Sequence, residues 1–317
     1  MPHSPDGIAR KAAPPVPQIA LVSDRHDWHA RELTKALAVA GARATLVRLE
    51  DCRFETDHPH GLRMPGFDDR LPDAVFVRCL SGGSFEAVTV RLGILHALRD
   101  SGVPVINDAR AIERCVDKSM TSFLLARAGI RSPATWVTEQ PAAARRIVEL
   151  EVAKGPLVLK PLFGSQGRNL RLIASPDDLP EPGAVAGVYY LQRFVGVERD
   201  GGYRDFRLLV WQGHVIAAMM RHAPHWITNV KRGGRPVAAV PDHAMHELAL
   251  RAAAAVGAEL AGVDILYDAD NQPAVLEVNS MPAWSGLQTV ASVNIASLIV
   301  AGLVGSHAPR AAQGVPG

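Results

Sequence analysis

The sequence predicts an α/β unit followed by a larger α+β region. Two patterns and one number carry that reading. Short apolar runs alternate with helical patterns over roughly the first hundred residues. Beyond Ala109 the strands arrive in adjacent pairs with helices between them, as antiparallel sheets do. Apolar residues make up 48% of the 317 positions, enough to build a core for each part.

The elements follow in order. Gln18–Ser23 (QIALVS) is a short apolar run after a Pro-rich stretch and reads as a buried strand. A helical pattern runs from Trp28 to Ala40 and stops at Gly41. Ala44–Leu49 and Ala74–Arg78 are the next strands, Phe85–Ser101 a helix ending near Gly102, and Val103–Ile106 a fourth strand. No GxGxxG follows the first strand, so a dinucleotide site is not expected. Asp117–Ala128 is amphipathic and stops at Gly129. Leu157–Lys160 and Asn169–Ile173 flank a glycine-containing turn, and Tyr189–Val195 is another strand. Phe206–Gln212 and His214–Arg221 form a hairpin turning at Gly213, Ala244–Ala255 a helix, and Gly262–Tyr267 with Ala274–Asn279 a last hairpin. The expected organisation is a loose tail (1–17), three lobes (18–108, 109–190, 191–306) and a second tail (307–317).

Composition narrows the function. Lys plus Arg is 34 and Asp plus Glu 32, so the net charge of +2 gives no electrostatic footprint for nucleic acid or a membrane surface. The first residues lack the apolar core of a secretory signal, and the run Leu298–Val304 is too short to span a bilayer. A cytoplasmic protein is expected. Cys52, Cys79 and Cys115 are spaced for neither a disulfide framework nor zinc and read as buried structural thiols. His222 and His225 read as loop residues without metal-ligand spacing.

The strongest chemical signal is the last hairpin, GVDILYDADNQPAVLEVN. With Asp270 and Asn271 at its tip, Asp264 and Glu277 fall opposite each other on one sheet face, and Asn279 shares that face. Two carboxylates in that position repel unless something positive lies between them. Two carboxylates and an amide oxygen form a hard-oxygen set suited to Mg²⁺ or Mn²⁺. A solvated hairpin face is the competing reading, and the apolar neighbours of these residues weigh against it. A second signal is VLKPLFGSQGRNL, where Lys160 ends a strand and Gly164-Ser165-Gln166-Gly167 follows. Backbone N–H groups of a small-residue turn approach phosphate closely, although an ordinary hairpin turn has the same look. A third is Arg221–Gly234, where Arg221, Lys231 and Arg232 surround Asn229. Such a cluster suits phosphate or carboxylate oxygens, and a plain basic loop competes with that reading. Lys118 and Asp205 gain meaning only together with these.

Taken in order, DKSMTSFLLARAGIRSPATW, LVLKPLFGSQG, YYLQRFV, YRDFRLLV, NVKRGG and AGVDIL…LEVNSMP resemble the ATP-grasp superfamily and, within it, the RimK-like amino-acid ligases. The segments MPAWSGLQ and SGGSFEAVTVRLGILHALRDSGVPVINDARAIER look like RimK-like ligases associated with tetrahydromethanopterin biosynthesis in methylotrophic bacteria. The resemblance implies an N-terminal Rossmann-like lobe and two α+β lobes gripping ATP. It implies ATP-phosphate contacts for Lys118 and Lys160, and a loop of Gly164, Ser165, Gln166 and Gly167 closing over them. Gln192, Arg193, Phe194 and Val195 would line the adenine, with main-chain groups of Arg193 and Val195 bonding it, and Asp205 would hold the ribose. Arg221 would face the transferred phosphate beside Asn229, with Lys160 completing the catalytic set. Asp264, Glu277 and Asn279 would ligate two Mg²⁺ or Mn²⁺ ions. Arg193 stands where relatives usually carry an acid, and Phe163 where a polar residue is common, so contacts of those side chains do not carry over.

The resemblance further implies a carboxylate–amine ligase that works through an acylphosphate. It would add L-glutamate to a small-molecule acceptor, of tetrahydromethanopterin type, or to a peptide carboxylate, in a homo-oligomer. Arg78, Lys231 and Arg232 are the candidates for the acceptor's carboxylate; a structural ion pair is the competing reading for Arg78. Two alternatives remain open at this point: an ATP-binding regulatory or scaffold protein on a degenerate ligase fold, and a carboxylate kinase stopping at the acylphosphate.

Overall fold

In β1 (Gln18–Val22) the side chains of Ile19 and Leu21 enter one core and those of Ala20 and Val22 another. This is the pattern of a parallel strand covered on both faces. The computed structural model describes residues 16–68, 70–164 and 167–307. β1 leads into α1 (Trp28–Val39), whose N-cap Asp27 accepts a hydrogen bond from the Ala30 N–H at 2.9 Å. β2 (Arg43–Val47), a small hairpin of β3 (Arg53–Phe54) and β4 (Leu62–Arg63), β5 (Ala74–Val77), α2 (Phe85–Asp100) and β6 (Val105–Ile106) complete the first lobe. The main sheet is all parallel in the order β2-β1-β5-β6. Strand order reverses between β1 and β5, so their carboxyl ends frame a crevice where open α/β sheets bind ligands.

α3 (Ala109–Val116) and α4 (Lys118–Arg127) follow, with Asp117 capping α4 by accepting from the Ser119 N–H at 2.8 Å. The central sheet is antiparallel: β7 (Thr135–Thr138), then α5 (Pro141–Glu151), β8 (Leu157–Lys160), β9 (Arg171–Ile173) and β10 (Tyr189–Arg193), in the order β7-β10-β8-β9. The third lobe holds β11 (Glu198–Arg199), β12 (Gly202–Trp211), β13 (His214–Ala223), β14 (Arg235–Ala238), α6 (His243–Val256), β15 (Leu260–Tyr267) and β16 (Pro273–Asn279). Its sheet runs β14-β13-β12-β15-β16, with β11 paired to β12. α7 (Ser285–Gln288) and α8 (Ile295–His307) close the described chain.

Packing redraws the expected lobes. The boundary at 190/191 falls inside β10, which pairs with β7 and β8 through Gln192. Ala111 of α3 and Leu125 of α4 pack with Met245, Ala249 and Val263 in the core of the third lobe, while the central sheet is covered by Ala144 and Val148 of α5. Ile295, Ile299 and Leu303 of α8 pack with Leu33 and Leu37 of α1, so the end of the described chain finishes the first lobe's core. Residues 1–15 and 308–317 of the expected tails lie outside the described residues, and His307 belongs to α8. Among the described residues no helix is long and apolar enough to cross a membrane. Cys52 is buried, while Cys79 and Cys115 are half-buried; all three are free thiols. His222 lies within β13 opposite Arg204 rather than in a loop.

Candidate active site

One cleft between the central and third sheets brings most of the expected residues together. Lys160, Gln192, Arg193, Phe194, Val195, Asp205, Arg221, Asn229, Asp264 and Glu277 all line it, with Val158, Leu266 and Leu276 among the apolar walls. The empty space within it, part of which is open to solvent, is about 640 Å³.

The floor is a chequerboard of charge on the third sheet. Asp205 and Arg207 are two apart on β12 and share a face. Register places Asp205 opposite Arg221 on β13, Arg207 opposite Asp264 on β15, and Asp264 opposite Glu277 on β16. Arg207 grips Asp264 through Nε and Nη2, both at 2.7 Å, and Arg221 Nη2 reaches the same carboxylate at 3.0 Å. Arg221 holds Asp205 through the same two nitrogens, with Nε at 2.8 Å. Burial raises the Asp264 carboxyl's pKa, but the charges of Arg207 and Arg221 outweigh it and hold it below the ordinary range. Burial works against the Arg221 charge, and Asp205 and Asp264 reverse that, leaving it raised. Glu277 makes neither a hydrogen bond nor an ion pair among the described residues, so its oxygens stay available.

The Asp264–Glu277 pairing depends on a bulge. Ile265 pairs with Val275, so Leu276 is an extra residue that shifts Glu277 into line with Asp264 and turns the leucine toward the cleft. Asn279 pairs with Gly262, and its Nδ2 donates to the Gly262 carbonyl at 3.5 Å, which leaves Oδ1 as its acceptor atom. No group of three or more His, Cys, Asp or Glu among the described residues is arranged to hold a metal. The donor set here is two carboxylates and an amide oxygen. All are hard oxygens, the chemistry a divalent cation takes, and with both Asp264 oxygens engaged by Arg207 and Arg221 the open ones are those of Glu277 and the Oδ1 of Asn279.

The roof comes from the central sheet. Lys160 and Gln192 are diagonal neighbours on one face, and Lys160 Nζ donates to Gln192 Oε1 at 2.6 Å. Burial brings the Lys160 ammonium down to about 8, against the pull of Glu277. Lys118 at the start of α4 is also lowered by burial; its Nζ donates to the carbonyls of Leu162 (3.2 Å) and Gly164 (2.8 Å). Lys118, Lys160, Tyr190 and Glu277 share a smaller adjoining pocket. Of the expected loop, Ser165 and Gln166 lie outside the described residues. Gly167 (φ +66°) sits so tightly against Asn229 and Ile227 that a Cβ would lie 2.6 Å from Asn229 Oδ1, so only glycine lets the loop approach the third lobe.

Several positions differ from expectation. Asp205 is spent on Arg221 instead of standing open for a ribose. It fixes the Nε–Nη2 edge of the arginine. The Arg193 side chain turns away toward α5, donating to the Glu151 and Gly155 carbonyls at 3.0 and 2.6 Å and pairing with the Glu151 carboxylate. Its main-chain N–H is taken by the Ala134 carbonyl at 2.8 Å, so of the two expected adenine partners Val195 offers its N–H and Arg193 can contribute only its carbonyl. Phe163 is exposed. Asn279, Lys118, Arg78, Lys231 and Arg232 do not line the main cleft. Lys231 and Arg232 are exposed on the turn after Asn229, while Arg78 is buried at the end of β5. Sequence reasoning missed Arg207, although its two-residue spacing from Asp205 was a usable signal.

Comparison with known proteins agrees with this geometry. A family model for the RimK-like ATP-grasp domain matches residues 115–303. The tetrahydromethanopterin:alpha-L-glutamate ligase of Methanosarcina acetivorans is 31% identical over 319 aligned positions, covering 88% of this chain and 96% of that protein. A probable alpha-L-glutamate ligase of Pseudomonas fluorescens strain Pf-5 is 33% identical over 68% of this chain and 75% of its own. The ATP-grasp ligase PsnB, solved with a minimal precursor, Mg and ADP, has the same fold at a TM-score of 0.71 and 21% identity, covering 94% of this chain and all of that one. The fold and cleft define an ATP-dependent carbon–nitrogen ligase. The chain belongs to the RimK-like ATP-grasp family.

Proposed function

We propose that this ligase joins L-glutamate to the carboxylate of a small acidic acceptor of the tetrahydromethanopterin type. The support is the single cleft in which Lys160, Arg221, Asn229 and Glu277 converge, together with the printed activity of the Methanosarcina relative. An acceptor carboxylate oxygen attacks the γ-phosphorus of ATP. The bond from that phosphorus to the β–γ bridging oxygen breaks, and ADP leaves. The glutamate amine then attacks the acyl carbon, loses a proton to solvent, and phosphate departs with the electron pair.

Phosphoryl transfer needs placement and charge neutralisation more than covalent help from the protein. Lys118 and Lys160 are half-buried cations without a carboxylate partner within 4 Å, ready for phosphate oxygens. Arg221, locked by Asp205, presents fixed positive charge to the transferred group. Asp264, Glu277 and Asn279 would hold Mg²⁺ or Mn²⁺, two ions in this reading. Such ions, when bound, neutralise charge on the phosphates. Gln192 to Val195 hold the base, the Val195 N–H being its hydrogen-bond donor. The Gly164–Gly167 loop closes over the phosphates and keeps water from the acylphosphate. Arg78, Lys231 and Arg232 would serve the acceptor's carboxylate.

The test is Mg²⁺-dependent ADP formation with L-glutamate, screened over acceptor acids that include a tetrahydromethanopterin precursor, with products read by mass spectrometry. A product heavier by one glutamyl residue is expected. Amide formation with a different amine would reassign the donor. ADP and an acyl phosphate without amide would overturn the ligation step.

A further inference from the structure

Two arginines among the described residues are buried, Arg221 at 3% exposure and Arg78 at 9%. Their surroundings are opposite. Arg221 has two carboxylates on its Nε–Nη2 edge, and the nearly buried Arg207 presents the same edge to Asp264. Arg78 has no carboxylate within 4 Å. Its Nη1 donates to the Met281 carbonyl at 3.2 Å, its guanidinium lies 5.5 Å from the centre of the Trp284 ring, and its Nε–H is buried with no partner. Nη2 makes no hydrogen bond either. The buried Nε–H is costly, since neither water nor an anion repays its lost hydration, while Nη2 keeps contact with solvent. Asp27 is the principal negative charge acting on it, and that carboxylate is occupied in capping α1 and facing His29.

The position is that of a ligand site. Arg78 follows β5 directly, and its N–H donates to the carbonyl of Val22, the last residue of β1. It therefore stands at the reversal of strand order, where open α/β sheets bind ligands. Met281 is two residues beyond Asn279, which places the guanidinium within roughly 10–12 Å of the proposed metal strand by chain geometry.

We propose that Arg78 receives the substrate carboxylate that does not react, on its open Nη2 beside the unpartnered Nε–H, with Trp284 as its wall. This rests on the ligase reading and names a subsite within it. The carboxylate could come from the amino acid or from the acidic tail of the acceptor, and the two sources are separable. L-Glutamate and glutarate are titrated by calorimetry into the MgADP-loaded protein, wild type and Arg78→Met. Weakening by at least about tenfold in the variant is expected, as for loss of a charge-assisted pair. Weakening for L-glutamate assigns the amino acid; weakening for glutarate with L-glutamate unchanged assigns the acceptor. Unchanged affinity for both, or no uptake of either by the wild type, overturns the proposal. Thermal denaturation separates this from a structural role: an unpaired buried charge replaced by an apolar chain of similar length should leave the melting temperature equal or higher. A marked drop would make Arg78 structural. MgADP affinity, measured on the same samples, should be unchanged; its absence in the wild type would instead count against the nucleotide site.

Discussion

The third-lobe sheet and the first-lobe crevice both bury an arginine, and they treat it differently. On the sheet, Asp205, Arg221, Asp264 and Arg207 satisfy one another, and Glu277 alone is left without an arginine. In the crevice Arg78 has no acid. A satisfied network fixes shape before any ligand arrives, whereas an unsatisfied charge stores a cost that only a ligand repays. In the function proposed above, the groups left without an ionic partner (Glu277, Lys118, Lys160 and Arg78) mark where substrates and ions belong, while Asp205 and Arg207 form the frame that holds Arg221 and Asp264 in place.

The largest expected effect falls on the unpaired acid of the floor. Glu277→Ala should lower turnover by about a thousandfold or more while leaving the melting temperature near that of the wild type. Near-normal turnover would remove Glu277 from the proposed metal site. Arg221→Ala should slow single-turnover ADP formation by about a hundredfold or more and weaken ATP binding far less. A loss confined to ATP affinity would contradict its place at the transferred phosphate. Arg207→Leu should destabilise the fold by about 3–5 kcal/mol, because Asp264 stays buried with one partner fewer. Read beside Arg78→Met in chemical denaturation, it sets frame against receptor directly.

Smaller effects come from protons. Burial brings Lys160 down to about 8, and phosphate oxygens should raise it. MgATP binding near pH 8 should therefore take up protons, visible as a dependence of the binding enthalpy on the buffer's ionisation enthalpy. Zero uptake would mean that phosphate does not meet this lysine. His29, lowered from 6.5 to about 4, accepts the Trp284 and Ser285 N–H groups at 3.1 and 3.2 Å on Nε2. Only the neutral ring can do this. The unfolded chain binds the proton first, so the stability contributed here falls as pH drops from about 6.5 to 4. Tryptophan fluorescence should report release of Trp284 over that window and no change in a His29→Gln variant.

Much of the site was legible because it is local. The hairpin arithmetic placed Asp264 against Glu277 from sequence alone, and the structure shows that Leu276, as a bulge, makes that pairing possible. Lys160 and Gln192 were legible as strand residues near a glycine turn. Arg207 was not, because its importance comes from Asp264, 57 residues away on a neighbouring strand. Asp205 was singled out but left just outside the expected strand Phe206–Gln212, and its pairing with Arg221 on β13 could not be read from sequence. Lobe boundaries were the least legible feature. Hydrophobic spacing says that α3, α4 and α8 are buried on one side and is silent on which core receives them. The half-polar strand β7 escaped notice, and so did α5, although a proline at its first position was an available start signal.

The way α8 covers α1 bears on how the protein is made. During synthesis β1, β2, β5 and β6 leave the ribosome early, and α2 can cover one face of their sheet at once. The other face pairs Ile19, Leu21 and Phe76 with Trp284, Ile295 and Ile299. It stays incomplete until nearly all the described chain has been translated. The first lobe is thus first in sequence and among the last to be sealed. A fragment ending near Asp108 would emerge with α1 alone over that face and the apolar side that α8 covers left bare.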